Sequence, residues 1–187
     1  MSMDANKPAP VLVVYAHPSP HKSRVNRRLA QAARALPHVE LVDLYESYPD
    51  FYIDVAREQA RLARAQAVVF VHPIQWYSAP ALLKEWFDTV LQAGWAYGVD
   101  GHVLRGKRYW MVATCGSPIA AYGEDGVHGR TLEAFLPPFQ QTAALCGMRW
   151  EAPHILYGAH LVSEAEVEAH VAAFVARLER IGNENLA

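Results

Sequence analysis

The sequence predicts an α/β protein built on a doubly wound, three-layer parallel sheet of five strands. Short apolar runs alternate along the chain with longer segments of helical periodicity, which is the pattern of such sheets. Three of the runs are almost continuously apolar, as central parallel strands covered by helices on both faces are. The length of 187 residues suits one domain, predicted over residues 9–187 after a disordered tail at residues 1–8.

The predicted strands and helices follow one another in strict alternation. The strands are Val11–Tyr15, Val39–Leu44, Ala67–Val71, Tyr109–Thr114 and Pro153–Tyr157. The helical segments are Asn26–Leu36, Asp54–Ala65, Ala81–Ala93, Thr131–Cys146 and Ser163–Ile181. This alternation favours the strand order 2-1-3-4-5 of the flavodoxin-like arrangement, in which ligands bind at the carboxyl ends of the strands.

Local signals predict several helix boundaries. Asp54 is expected to cap the second helix, because its carboxylate can accept a hydrogen bond from the first turn. The pair Pro137-Pro138 is expected to interrupt the fourth helix. Ser163 and Glu166 form a capping box at the start of the fifth helix, and Gly182 is predicted to end it.

Composition and charge exclude several classes of protein. Seventeen basic and 19 acidic residues give a net charge of -2, without the clustered positive charge that nucleic acids and anionic membranes select. The two cysteines form no CxxC motif, which is typical of free thiols in a reducing cytoplasm. No apolar stretch approaches the roughly 18 residues of a membrane-spanning helix, and no signal peptide precedes Val11. We therefore expect a cytoplasmic protein that binds no nucleic acid.

Loop 1, residues 16–26, joins the first strand to a helix N-terminus. Free backbone N–H groups and the positive end of the helix dipole favour an anion there. His17, Ser19, Ser23 and Asn26 can all donate hydrogen bonds to phosphate oxygens. The dinucleotide motif GxGxxG is absent from this loop. The alternative, a helix N-cap with incidental polar residues, stays open.

Loop 2, residues 72–80, follows the third strand and carries two prolines and two adjacent aromatic residues, Trp76 and Tyr77. Flat aromatic faces beside backbone N–H and C=O groups suit a planar heteroaromatic ligand. The alternative is an apolar plug that closes the ends of the strands.

Loop 3, residues 114–129, follows the fourth strand and contains four glycines. Long glycine-bearing loops at the carboxyl ends of strands are usually functional. Tyr122 and His128 can supply a proton or a hydrogen bond to developing charge, the alternative being a packed tyrosine and a surface histidine. Cys115 is a less favoured candidate nucleophile, because a buried structural thiol is commoner.

The sequence lacks complete motifs for nucleoside triphosphate binding, serine hydrolysis and metal binding. The segment from Gly101 to Lys107 has the glycine and lysine spacing of a Walker A loop. Arg108 stands where that motif needs Ser or Thr, and the segment precedes a strand instead of following one. The chain contains neither GxSxG nor HExxH, so neither a serine hydrolase nor a metal site is expected.

The remaining motifs together resemble the flavodoxin-like NAD(P)H:quinone oxidoreductases. Within that group the chain is most similar to the ancillary flavoproteins of bacterial glutathione-regulated potassium-efflux systems. The resemblance extends from Val11 to about Ile181. It is carried by Tyr15–Pro18 with Ser23 and Asn26, by Tyr48–Asp54, by His72–Trp86 and by Gly94–Gly98. The stretch Tyr48–Asp54 points to the ancillary proteins and away from the longer quinone reductases.

The resemblance implies a flavin-dependent oxidoreductase that passes two electrons from NAD(P)H to a quinone-type acceptor by a ping-pong mechanism. FMN is the implied cofactor and FAD the alternative, because this short chain has no obvious insertion to hold an adenosine. The resemblance also implies a homodimer. An alternative function is a regulatory subunit on the cytoplasmic face of a potassium-efflux transporter, peripheral at the inner membrane through that partner. An electron-carrier flavodoxin is a weaker alternative, since such carriers are usually strongly acidic.

The resemblance implies cofactor-binding residues in all three loops. They are His17, Ser23, Val25 and Asn26 in loop 1, Pro73, Ile74, Gln75, Trp76 and Tyr77 in loop 2, and Thr114, Cys115, Gly116, Ser117 and Tyr122 in loop 3. The donor chemistry of loop 1 adds Ser19 to the candidate cofactor-binding residues. Tyr122 and His128 match the pair that balances charge on the flavin during hydride transfer, and are the implied catalytic residues. Cys115 and Ser117 depart from the Thr-Thr-Gly-Gly common in the family, although contacts through the backbone are expected to survive.

Two aromatic-rich segments predict an interaction surface. The third helix has a wide apolar face from Leu83 to Leu91, broader than one sheet contact needs. Four aromatic residues lie in a predicted loop between Tyr45 and Tyr52. Exposed apolar surface of this kind marks an interface, for a second copy of the chain or for a transporter. The alternative is that all these side chains pack on the sheet.

Overall fold

The computed structural model describes residues 10–184, so the predicted disordered tail at residues 1–8 lies outside the described residues. The sheet is parallel throughout, and its strands lie in the order β2-β1-β3-β4-β5, as predicted. The strands are β1 Val11–Tyr15, β2 Val39–Asp43, β3 Ala67–Pro73, β4 Arg108–Thr114, β5 Arg149–Trp150 and β6 His154–Leu156. β6 also pairs with β4.

The fifth position of the sheet is divided, which corrects the single strand predicted at Pro153–Tyr157. β5 pairs with the start of β4 and β6 with its end, and residues 151–153 separate the two short strands. Pro153 lies in this interruption and has no N–H group for a hydrogen-bond ladder. The strand therefore breaks just before it reaches the edge of the sheet that holds the loops.

Helices cover both faces of the sheet. They are α1 Val25–Arg34, α2 Leu44–Ser47, α3 Val55–Arg64, α4 Ala81–Val90, α5 Pro137–Leu145 and α6 Glu164–Asn183. α1 and α6 pack together on one face, where Leu29 and Phe174 belong to one buried cluster. The other helices cover the opposite face, with Leu62 and Phe139 in a second cluster. This is the doubly wound, three-layer arrangement that the alternation of elements predicts.

The predicted caps are confirmed at two helices and wrong at one end. The Asp54 carboxylate accepts a hydrogen bond from Arg57 N at 3.0 Å. Ser163 and Glu166 form both bonds of the capping box. Gly182 does not end α6, which continues to Asn183. A Cβ on Gly182 would lie 2.5 Å from Cδ2 of His38, so this glycine serves close packing.

The prolines 137 and 138 do interrupt the predicted helix at residues 131–146, and they do so by starting a new one. A short 3₁₀ helix, Leu132–Phe135, precedes them, and α5 begins at Pro137. Proline suits the first turn of a helix, because the N–H group that it lacks has no partner there.

The segment before α3 is more ordered than the predicted loop. α2 occupies Leu44–Ser47, and the Asp43 carboxylate caps it by accepting from the backbone N–H groups of Tyr45 and Glu46. Tyr48 is buried, whereas Phe51 and Tyr52 are exposed. Tyr45 is partly buried against the core, so only Phe51 and Tyr52 remain as candidates for the predicted surface.

The apolar face of α4 packs on the sheet, which corrects the expectation that it forms an interface. Leu83, Trp86 and Val90 are fully buried within the chain. Phe70 of β3 lies against Trp86 and Phe87, with ring centroids 5.7 and 5.1 Å away. The width of this face reflects contacts inside the molecule with the sheet, with α2 and with α3.

Candidate functional site

Loops 1, 2 and 3 meet at one edge of the sheet, because they follow parallel neighbouring strands. Backbone hydrogen bonds hold the loops side by side. Ile74 N donates to Thr114 O at 2.8 Å, which joins loop 2 to loop 3. Cys115 N donates to Leu156 O, also at 2.8 Å, which joins loop 3 to the end of β6. The backbone hydrogen bonds between the strands therefore continue into the loops and fix the positions of loops 2 and 3.

Loop 1 leads into a helix start that side chains do little to cap. Arg24 occupies the N-cap position of α1 without a side-chain capping bond, and its guanidinium donates instead to Val162 O at 2.8 Å. The Ser23 hydroxyl accepts from Arg27 N at 3.0 Å. The first turn of α1 therefore keeps the positive end of a ten-residue helix directed at loop 1.

His17 is held in one tautomer by its own loop. Ser19 N donates to Nδ1 of His17 at 3.1 Å, so the neutral ring carries its proton on Nε2. Burial lowers the pKa of His17, and the neighbouring His160 lowers it further. The ring therefore presents an N–H donor to a ligand of loop 1.

Asn26 is buried at the point where loop 1 meets loop 3. Its Nδ2 donates to Thr114 Oγ1 at 2.8 Å. Its Oδ1 is buried and has no hydrogen-bond partner among residues 10–184. Leaving a buried acceptor unpaired costs about 1–3 kcal/mol, so this oxygen is a place where a ligand hydroxyl or N–H group would be favoured.

Loop 2 contains a strained turn. Gln75 N donates to Ser78 O at 3.0 Å, and Ser78 N donates to Gln75 O at 2.9 Å. The two residues between them, Trp76 and Tyr77, have φ angles of 46° and 63°. Bulky aromatic residues rarely adopt this left-handed region, and such strain concentrates at ligand sites. The turn leaves the side chain of Trp76 93% exposed.

Loop 3 returns on itself as a tight hairpin. His128 N donates to Ala121 O at 3.1 Å. A Cβ on Gly126 would lie 2.3 Å from Ala121 O, so only glycine allows this close approach. The hairpin packs the ring of Tyr122 against that of His128 in a tilted arrangement, with centroids 4.4 Å apart. The two implied catalytic residues are thus neighbours in space.

His128 is bound through both of its ring nitrogens. Nε2 lies 3.0 Å from Ser117 Oγ, and Nδ1 lies 3.4 Å from the hydroxyl of Tyr77. Tyr77 in turn packs on Phe135, with ring centroids 4.8 Å apart. Loop 2 and loop 3 therefore share one polar cluster.

Cys115 has the environment of a structural thiol. It is fully buried, and burial raises its pKa to about 11. A thiol with this pKa stays protonated near neutral pH, which argues against the nucleophile alternative. Burial also raises the pKa of Tyr122, and hydrogen bonding to Cys115 raises it further. Tyr122 therefore remains a hydroxyl donor at neutral pH.

The other predicted residues differ in what they offer the site. Val25 is buried in the core at the start of α1, so only its backbone can meet a ligand. Pro73 and Ile74 are half-buried, whereas Gln75 and Gly116 are exposed at the edge.

Three residues that were not predicted from the sequence also lie beside the site. Phe135 supports Tyr77, and Tyr157 packs edge-on against Tyr122 with centroids 5.5 Å apart. A Cβ on Gly116 would lie 4.0 Å from Cδ2 of His160. Tyr157 and His160 follow the divided fifth strand, so their position at a carboxyl end was a usable signal. Nothing local distinguished Phe135.

Residues 10–184 hold neither a metal-type cluster of side chains nor a membrane-spanning helix. No group of three or more His, Cys, Asp or Glu side chains there converges as a metal site would require. No helix in the same described range is long and apolar enough to span a bilayer.

Comparison with known proteins identifies the family. Residues 9–181 match a family model described as a flavodoxin-like fold. The glutathione-regulated potassium-efflux system ancillary protein KefG of Cronobacter sakazakii is 47% identical over 166 residues, which cover 89% of this chain and 90% of that protein.

Two solved structures are also similar. General stress protein 14 of Treponema denticola, solved in complex with FMN, is 34% identical, with a TM-score of 0.85 over 92% of this chain and 99% of that one. An NADPH-quinone reductase from P. pentosaceus has a TM-score of 0.82 at 23% identity over 95% of this chain and 99% of that one, a likeness of fold alone. The chain therefore belongs to the flavodoxin-like family that includes the ancillary proteins of glutathione-regulated potassium-efflux systems.

Proposed function

We propose that the protein binds FMN across loops 1, 2 and 3 and uses it to pass two electrons from NAD(P)H to a quinone-type acceptor in ping-pong order. The observation that carries the proposal is the unpaired, buried Oδ1 of Asn26 beside the start of α1. This oxygen can accept a hydrogen bond from a ribityl hydroxyl of FMN, and the N-terminus of α1 beside it favours the phosphate. FMN in the 34% identical general stress protein 14 supports the choice of cofactor.

The residues of loop 1 fit the phosphate end of FMN. The positive end of α1, the hydroxyls of Ser19 and Ser23, and Nε2–H of His17 are donors or dipoles suited to a dianion. Val25 contributes through its backbone. FMN is favoured over FAD because a chain of 187 residues leaves no obvious insertion to hold an adenosine.

The residues of loops 2 and 3 fit a flat ring. Residues 73–77 offer backbone groups and the exposed face of Trp76, and residues 114–117 offer a second run of backbone at the same edge. Ring stacking and a few backbone hydrogen bonds are the usual contacts of a planar heterocycle.

When bound, the flavin would accept a hydride from NAD(P)H and would then pass two electrons to the quinone-type acceptor. The chain supplies placement and charge. A tyrosine hydroxyl is protonated at neutral pH, and burial raises the pKa of Tyr122 further, so this hydroxyl can donate to an oxygen that gains negative charge. His128 can hold a proton on a ring nitrogen while Ser117 and Tyr77 keep the ring in place. The nicotinamide of NAD(P)H and the quinone, which are both flat, would then occupy the same exposed face of the site one after the other.

Purification tests the proposal directly. We expect a yellow protein with one flavin per chain, identified as FMN by mass spectrometry of the released cofactor. NADH or NADPH should bleach the flavin, and a quinone should restore the colour. A colourless protein that neither FMN nor FAD reconstitutes would contradict the proposal.

A second candidate function is regulation of a potassium-efflux transporter. The 47% identical KefG is named as an ancillary protein of such a system. Phe51 and Tyr52, 43% and 84% exposed, are aromatic residues available for docking on the transporter's cytoplasmic face. This would place the protein peripherally at the inner membrane through its partner.

Potassium efflux distinguishes the two candidates. Efflux should be measured in cells that carry the transporter, with no added protein, with the wild type, and with His128→Ala. If both forms raise efflux, regulation needs the protein more than its turnover. If neither form changes efflux while quinone reduction is fast in vitro, the regulatory role is wrong.

We also propose a homodimer whose interface includes the exposed aromatic residues of loop 2. Trp76 and Tyr77 are 93% and 44% exposed. Sedimentation at micromolar concentration tests this. A monomer near the chain mass of 20.8 kDa that retains full activity would contradict it.

A further inference from the structure

Within residues 10–184, the hydrogen bonds of the His128 ring nitrogens are made to hydroxyl groups alone. Ser117 Oγ lies 3.0 Å from Nε2, and the Tyr77 hydroxyl lies 3.4 Å from Nδ1. The two partners come from different loops and meet the ring at opposite nitrogens. Ser117 is itself fixed by the fifth strand region, since Gly158 N donates to Ser117 O at 2.8 Å.

We propose that Ser117 is a positioning residue for His128, and that Ser117 and Tyr77 together form a hydroxyl clamp on its ring. The clamp keeps the imidazole in one place whether it is neutral or charged. The inference rests on the proposed function for its kinetic consequence, but the clamp itself is a property of the protein without substrate.

Hydroxyl groups suit this role because each can both donate and accept a hydrogen bond. With a neutral ring, one hydroxyl donates to the bare nitrogen and the other accepts from the protonated one. With a charged ring, both hydroxyls accept. A carboxylate or a backbone carbonyl can only accept, and would therefore favour one tautomer. The clamp lets a proton arrive or leave without requiring the ring to turn.

Ring packing reinforces the clamp. Tyr122 lies against one face of His128, with centroids 4.4 Å apart, and Tyr77 meets the ring edge-on at 5.5 Å. Phe135 supports Tyr77 at 4.8 Å. Rotation of His128 would break both hydrogen bonds and the contact with Tyr122 together. Removing the Ser117 hydroxyl frees one nitrogen and leaves the aromatic packing intact, so the two contributions are separable by mutation.

The first test reads the ring directly and needs no substrate. The ¹⁵N resonances of the His128 ring, assigned by their loss in His128→Ala, report which nitrogen carries the proton. Ser117→Ala should move them by several parts per million, and Ser117→Thr should leave them near their original positions. Ser47→Ala, at an exposed serine of α2, is the control and should move nothing. Unmoved His128 resonances in Ser117→Ala would overturn the clamp.

The second test is a double-mutant cycle on the reduction of bound flavin by NAD(P)H in rapid mixing. Ser117→Ala should slow the step about tenfold, the effect of one hydrogen bond, at unchanged half-saturation for NAD(P)H. Ser117→Thr should restore the rate. In the His128→Ala background, Ser117→Ala should have no further effect, because its influence passes through His128.

The outcomes separate the clamp from the proposed function. Independent, multiplicative slowing by the two substitutions would overturn the positioning role. If the nitrogen resonances respond to Ser117→Ala but even the wild type reduces no flavin, the proposed function is wrong and the clamp stands. Flavin affinity, measured on the same variants, should change less than twofold. A larger loss would mean that Ser117 acts on the cofactor and not through His128.

Discussion

Asn26 and Thr114 are joined by a 2.8 Å hydrogen bond between side chains that are 88 residues apart in the chain. The bond connects the start of α1 to the end of β4. It therefore links loop 1, which is suited to a phosphate, directly to loop 3, which is suited to a flat ring. Because Oδ1 of the same amide has no partner among the described residues, a ligand that binds there also braces the contact between the two loops.

Asn26→Asp should weaken FMN binding by more than tenfold. The substitution keeps the shape of the side chain but places a negative charge near the dianionic phosphate, which costs more than the roughly 1 kcal/mol of one neutral hydrogen bond. Quenching of FMN fluorescence on titration of apoprotein measures the affinity. Asn183→Asp, at the end of α6, adds the same charge elsewhere and should change little. Equal affinities for the wild type and Asn26→Asp would remove Asn26 from the site.

Tyr122→Phe and His128→Ala should each slow the reduction of bound flavin by about 100-fold, the usual contribution of a charge-stabilising residue. Both variants should still bind FMN, because neither side chain carries the phosphate contacts. Stopped-flow reduction by NAD(P)H measures the rate, and the absorbance of the bound flavin checks the binding. Unchanged rates in both variants would show that the catalytic assignment is wrong in loop 3.

Glu58→Ala should destabilise the fold by about 3–5 kcal/mol, because it removes a buried charge from its partners. The Glu58 carboxylate is fully buried and accepts from the Tyr48 hydroxyl at 2.7 Å and from Trp86 Nε1 at 3.0 Å, and it also pairs with Arg61. The free energy of unfolding in urea measures the loss.

Two control variants remove less than Glu58→Ala does: one removes a single hydrogen bond to Glu58, and the other removes an exposed carboxylate. Tyr48→Phe removes one hydrogen bond and should cost about 1 kcal/mol. Glu179→Ala, at an exposed position of α6, should cost less than about 0.5 kcal/mol. If Glu58→Ala proves as mild as Glu179→Ala, the buried network contributes nothing to stability.

The stability of the protein should fall as the pH drops from about 6.5 towards 4. Burial lowers the pKa of His170 to about 4 and that of His154 in the same direction, and their rings stack with centroids 3.8 Å apart. The unfolded chain takes up protons near pH 6.5, where the folded protein does not, so acid favours unfolding. We expect a loss on the order of 1 kcal/mol between pH 7 and pH 5 from His170.

His170→Phe should reduce this pH dependence without removing it, because burial also lowers the pKa of His72 to about 4. Urea unfolding at pH 7, 6 and 5 measures the slope for each protein. His102→Gln, at an exposed position, is the control and should keep the slope of the wild type. The same slope in His170→Phe as in the wild type would exclude His170 as its source.

The strands and the order of the sheet could be predicted because they depend on local apolar runs and on a general rule for parallel connections. The loops of the candidate site followed from the same reasoning, since carboxyl ends of parallel strands share one edge. Asp54 and the Ser163–Glu166 box were predictable for a similar reason, as a cap needs only its own first turn.

Features that depend on distant partners could not be predicted. The contact of Ser117 with His128 requires the hairpin of loop 3, and the left-handed turn at Trp76 and Tyr77 has no glycine to announce it. Gly182 has the sequence context of a helix end, but its role is set by His38, which lies far away in the chain. In each case tertiary packing decided what the local pattern left open.

The divided fifth strand has a consequence for how copies of the protein can meet. An unbroken outer strand is a template for pairing with another chain, and the interruption at residues 151–153 denies that template on one side of the sheet. On the other side β2 presents Glu40, which is held by Arg61 at 2.8 Å and by Arg64 at 3.3 Å. The break on one side and the charged residue on the other both disfavour strand addition, which leaves loops and helices as the surfaces through which copies would associate.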